Sequence, residues 1–169
     1  YMEATVYGLP LFKVNEWYLD GRARMELPVG VIENDAKTGQ AANLTLWGES
    51  IALPSLFATD PRVSWEPIDE THAALVVPFE EATDRFTVTF DAGTGLPTSM
   101  EALRWKSPDS PEKLNWRIDI SDWQSHGGML IPTSWALTWE DEKGPWFVGE
   151  INEVVYNADV EAYIRTPGQ

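Results

Sequence analysis

Cysteine is missing from all 169 residues, which excludes a disulfide framework, a thiolate metal site and a cysteine nucleophile, and leaves the compartment open. Histidine is nearly missing as well. His72 and His126 stand far apart in the chain, whereas a zinc site of nitrogen and carboxylate ligands needs three or four groups converging. Neither a metal nor a cofactor is therefore expected. Positive charge is scarce: Lys+Arg 12 against Asp+Glu 27 gives a formal net charge of −15. The cations are scattered from Lys13 to Arg165, so no basic stripe exists for nucleic acid or an anionic membrane surface. No apolar run approaches the ~20 residues of a membrane span, and no secretory signal opens the chain. Tyr1 to Tyr7 already reads as strand. That leaves room for an anchoring segment upstream of the numbered chain, and with it an extracytoplasmic or membrane-anchored location.

Tryptophan, by contrast, is abundant: nine of the aromatic residues, which make up 12% of the chain. Each supplies a large area to bury and one N–H that needs a partner. Nine in one small chain point to a thick sheet core or to an aromatic-lined cavity. The length suits a single domain over residues 1–165, with 166–169 as a frayed tail, and a chain of this size buries about 70% of its unfolded surface.

Period-2 alternation dominates. Phe86, Val88 and Phe90 alternate with threonines; Trp116, Ile118 and Ile120 alternate with Asn115, Arg117 and Asp119; Ile131, Thr133, Trp135, Leu137 and Trp139 alternate with smaller residues. Further strands are expected at Met2–Tyr7, Lys13–Leu19, Arg22–Leu27, Val63–Ile68, Ala73–Phe79, Leu96–Lys106 and Trp146–Tyr156. Asp20-Gly21, Gly93-Thr94-Gly95, Gly127-Gly128 and Lys143-Gly144 supply turn chemistry between them. Short gaps between alternating runs mean hairpins. The fold class is therefore mainly β: one curled antiparallel sheet, a half-open barrel. One stretch breaks the alternation. Gln40 to Leu53 places Leu44, Trp47 and Ile51 at helical spacing and is closed by Pro54. Its apolar stripe must bury itself on the sheet, so one principal helix lies across it.

The order of motifs carries a resemblance: Leu19-Asp20-Gly21-Arg22-Ala23-Arg24-Met25, the helix ending in Leu53-Pro54-Ser55, Val63-Ser64-Trp65-Glu66-Pro67-Ile68-Asp69, Phe90-Asp91 with Gly95-Leu96, and Gly128-Met129-Leu130-Ile131-Pro132-Thr133. The set resembles a bacterial and archaeal family of uncharacterised domains of unknown function, whose members often carry an N-terminal membrane segment. That family is similar in turn to the periplasmic carriers of outer-membrane lipoproteins. The resemblance implies an incomplete barrel whose concave aromatic face holds acyl chains. It brings no catalytic residues with it.

Candidate chemistry is thin. Gly48-Glu49-Ser50-Ile51-Ala52 approaches the nucleophile elbow Gly-x-Ser-x-Gly, and His126-Gly127-Gly128 hints at an oxyanion loop. The elbow needs its serine on a strand-to-helix turn, and here Ser50 falls inside the helix. Glu16, Glu66 and Glu140, each beside a tryptophan, invite a glycosidase reading; solvated edge positions explain them more simply. No catalytic residue is assigned. Arg22 and Arg24 share one face of a hairpin, suited either to a plain turn or to an anionic headgroup. Trp47, Trp135, Leu137 and Trp139 suit either core packing or a pocket. The function these residues favour is non-enzymatic binding of a lipid or other apolar small molecule at Arg22, Arg24, Trp47, Trp135, Leu137 and Trp139. The alternatives are a hydrolase of a glycan or lipid, using carboxylates or Ser50, and an interaction module without a small ligand.

Overall fold

Hairpin chemistry sets the topology. The computed structural model describes residues 2–6, 9–19 and 21–161; Tyr7, Asp20 and the expected tail at 166–169 lie outside the described residues. Strands β1 (Met2–Val6), β2 (Leu9–Leu19), β3 (Arg22–Leu27) and β4 (Gly30–Glu33) pair antiparallel in sequence order as a four-stranded sheet. After a helical segment come β5 (Ser64–Pro67), β6 (His72–Phe79), β7 (Ala82–Phe90), β8 (Pro97–Arg104), β9 (Leu114–His126), β10 (Met129–Trp139) and β11 (Phe147–Glu150). They also pair in sequence order, as an unclosed seven-stranded antiparallel sheet. At the β9–β10 turn both linking residues, Gly127 (φ 56°) and Gly128 (φ 86°), adopt the positive φ that matches a two-residue turn to the strand twist.

The mainly β, antiparallel architecture with one principal helix is as the alternation predicts. The division into two sheets is not. The reason lies between β4 and β5: residues 36–59 are largely helical, so no hairpin carries the ladder across. The expected strand at Trp146–Tyr156 also shortens to β11, Phe147–Glu150. Beyond Ile151 the chain leaves the β10 edge, and the Tyr156 hydroxyl donates to the His126 carbonyl at 3.1 Å.

Helix α1 (Ala36–Glu49) continues as a 3₁₀ turn over Ser50–Ala52, and a short α2 (Leu56–Thr59) follows. The helix begins four residues before the expected Gln40 because Asp35 caps it: its carboxylate accepts from the Thr38 N–H and from the Thr38 hydroxyl, both at 2.7 Å. Leu44, Trp47 and Ile51 are buried and dock as one stripe on the seven-stranded sheet, against Leu75, Phe86, Val88, Met100, Trp116 and Ile118. Burial of each such side chain contributes roughly 1.5–3 kcal/mol.

The polar side of the helix ties the two sheets together. Tyr18 on β2 donates its hydroxyl to Asn43 Oδ1 at 3.2 Å, and Asn43 Nδ2 donates to Asp84 Oδ2 on β7 at 3.0 Å. Gln40 Nε2 donates to Asp84 Oδ1 and to the Leu103 carbonyl, both at 3.0 Å. These buried amides are thus matched to partners, as buried polar groups must be. No helix among the described residues is long and apolar enough to cross a membrane, a statement that does not bear on membrane β-barrels.

Candidate functional site

Three periodicities converge on one cleft. Val14, Glu16 and Tyr18 lie on one face of β2 by the two-residue period. Ala42, Thr45, Leu46 and Glu49 lie on one face of α1 by the three- and four-residue spacing. On the large sheet, Trp135 and Leu137 of β10 stand beside Trp116 of β9, with Trp146 and Phe147 at the far edge. Together with Arg104, at the end of β8, these side chains enclose about 490 Å³ between the two sheets and the helix. That volume lies in the usual range of small-molecule sites, about 300–1,000 Å³. The wall at β10–β11 depends on a missing side chain: Gly149 pairs with Trp135, and a Cβ on it would sit 2.5 Å from the indole Cε2.

Arg104 is the unusual member. It is half-buried, with its guanidinium stacked over the rings of Trp116 and Trp139 at 4.7 and 5.2 Å. Nε donates to the Ala41 carbonyl at 3.1 Å and Nη2 to Thr45 Oγ1 at 2.9 Å. Burial lowers its pKa to about 10, against a smaller opposing pull from Glu16, so it stays charged at neutral pH. Glu49 is exposed at its outer atoms, yet the cleft removes part of its water. Its carboxyl is raised above the ordinary range, first by that desolvation and then by the negative charge of Glu16.

The expected site residues separate. Trp47 and Trp139 belong to the packed core, each 4% exposed, whereas Trp135 and Leu137 are half-buried and line the cleft. Arg22 and Arg24 are exposed on β3. Their register partners Leu19 and Trp17 lie out of phase with the cleft residues Glu16 and Tyr18, so both point to the opposite face of the small sheet. Arg24 forms ion pairs with Glu26 and Glu33. Ser50 is buried and donates to the Leu46 carbonyl at 2.7 Å, a helix-end bond that leaves no base to activate it. His72 opens strand β6, with Nδ1 2.8 Å from Asp69 Oδ1 in the preceding turn. No group of three or more His, Cys, Asp or Glu side chains suited to a metal ion occurs among the described residues.

Sequence reasoning passed over Arg104, Trp116, Trp146, Phe147 and Glu49 as members of a site. For Arg104 a signal was present. Met100, Ala102 and Arg104 share one face of β8, and Met100 and Ala102 are buried, so an arginine continues an apolar stripe. A second opening of about 360 Å³ lies beyond the other end of the helix, between Ile51, Phe57, Trp65, Met100, Trp123 and Leu130. Its lining carries no charged side chain.

A family model described as a family of unknown function, DUF6544, matches residues 1–151. No curated protein and no solved structure matches the chain, and the expected likeness to lipoprotein carriers gains nothing from these comparisons.

Proposed function

The chain belongs to that family of unknown function, and from the geometry of its cleft we propose that it binds an apolar or amphipathic small molecule, a lipid or acyl chain, without transforming it. The observation that carries the reading is an open space of about 490 Å³ walled by Trp116, Trp135, Leu137, Trp146 and Phe147. An apolar surface left unfilled in a chain that packs tryptophans tightly elsewhere costs about 25 cal/mol per Å² of contact not made with another apolar group. A ligand recovers that contact. Tryptophan fluorescence during titration with an environment-sensitive apolar dye tests it. Saturable quenching is expected in the parent and not in Trp135→Ala, still folded by circular dichroism. No saturable change in the parent overturns the reading.

A hydrolase is the second reading, and one observation favours it: Glu16 and Glu49 line the same aromatic cleft, and Glu49 is raised as a general acid must be. Turnover on a panel of glycosides and esters that disappears in Glu49→Gln would establish it over the binding reading. Ser50 has no part in it, for its hydroxyl is committed to Leu46.

A further inference from the structure

In a chain with 27 carboxylates, arginines find partners readily. Arg24 pairs with Glu26 and Glu33, Arg62 with Asp60, Arg85 with Glu66, and Arg117 with Glu101 and Asp119. All four are exposed, where an ion pair is worth roughly 0–1 kcal/mol. Arg104 is half-buried, where the lack of a partner costs far more, and no carboxylate among the described residues stands within ion-pair distance of it. Of its five N–H donors, two are used, on Ala41 and Thr45; three remain. Trp116, over whose ring the guanidinium lies, is itself packed in the core and supplies the ring face, not a carboxylate, to Arg104. The interior of the cleft therefore offers donors and a positive charge. Of its two carboxylates, Glu16 is exposed, and Glu49 is the more easily neutralised as an anion enters, because desolvation and Glu16 already raise its pKa.

We infer that Arg104 is the headgroup site of the cleft, and that the ligand is a single-chain amphiphile with an oxyanion head, carboxylate or phosphate monoester. The inference rests on the binding reading above and specifies its substrate class. The guanidinium lies over the Trp116 and Trp139 rings and is tied to Ala41 and Thr45, which fixes its position, and its remaining N–H groups can meet two oxygens of a carboxylate or phosphate. The aromatic wall formed by Trp135, Leu137 and Phe147 takes the chain.

The test compares laurate, lauryl phosphate and dodecanol, each below its micellar concentration, by tryptophan quenching in the parent and in Arg104→Met. The parent is expected to bind at least one of the two anions about ten-fold or more tighter than the alcohol, as a charge-assisted hydrogen bond allows. Arg104→Met is expected to erase that preference and keep the affinity for dodecanol. Whichever anion binds more tightly identifies the head. Should Arg104→Met not fold, the Arg104 Nε–H resonance of the parent serves instead, and is expected to shift with the preferred anion and not with dodecanol. Equal binding of acid, phosphate and alcohol, or a preference that survives in Arg104→Met, overturns the headgroup assignment and leaves the apolar-ligand reading standing. Failure of all three to bind overturns both.

Discussion

The two flanks of the helical segment differ in residue type and end in opposite states. On one flank Leu44, Trp47 and Ile51 press into the seven-stranded sheet and are 0–4% exposed. On the other, Ala42, Thr45, Leu46 and Glu49 face β2 across an open cleft. The packed flank is close because Gly48 permits it: a Cβ there would lie 2.6 Å from Ile118 Cδ1 and 3.2 Å from Trp116 Cη2. The open flank faces a different sheet, held at a distance by the hydrogen-bonded relay from Tyr18 through Asn43 to Asp84. Aromatic content thus does not decide between core and pocket. What stands opposite each ring does: Trp139 packs beside Trp116 in the core, whereas Trp135 borders open space.

The sharpest way to break this comparison is to truncate one tryptophan from each flank. Trp47→Ala should cost about 3–5 kcal/mol, the range for a large aromatic removed from a filled core. Trp135→Ala removes a ring that is already half-exposed and should cost about 1–2 kcal/mol. Urea denaturation measures both. Equal losses would mean that the cleft flank is as filled as the core.

Gly149→Ala sharpens the same contrast from the cleft side. The added Cβ meets Trp135 Cε2 and Cζ2 at 2.5 and 2.6 Å, so the indole must move. Overpacking a filled core costs about 1–3 kcal/mol; here the ring has the cleft to move into. The expected outcome is a loss near the lower end, about 1 kcal/mol, with weaker binding of the apolar dye. A loss well above that range with dye binding intact would show that Trp135 has nowhere to go.

The smallest effect belongs to Glu49. Its charged form is disfavoured by folding, since desolvation and Glu16 raise its pKa. A carboxyl raised in the folded state binds protons there more readily than in the unfolded chain, so stability falls as pH rises through the interval from the ordinary carboxylate value to the folded one. Glu49→Gln should therefore melt slightly higher than the parent at about pH 7–8, and the gain should vanish by about pH 4, below the ordinary glutamate value. A gain that persists unchanged at acid pH would assign the effect to packing instead of charge.

The amino-acid sequence by itself determined the local structure. Period-2 alternation marked ten of the eleven strands, Pro54 ended the helix, and the 44/47/51 spacing named the stripe that docks. These are short-range facts, since a strand's two faces and a helix's stripe follow from the backbone repeat alone. Asp35 with Thr38 and the short strand β4 were equally local, though their signals are a single cap and four residues, too slight against the surrounding pattern. What only the tertiary structure decided is which aromatic faces meet and how far apart. Trp139 and Trp135 stand four residues apart on one face of β10, and one is core while the other is cleft wall; no periodicity distinguishes them. Arg104 owes its isolation to Ala41, Thr45, Trp116 and Trp139, which come from three separate elements. The same holds for the second sheet, for a helix that interrupts the meander allows either continuation, and the choice rests on long-range hydrogen bonds from Tyr18, Gln40 and Asn43 that sequence spacing does not encode.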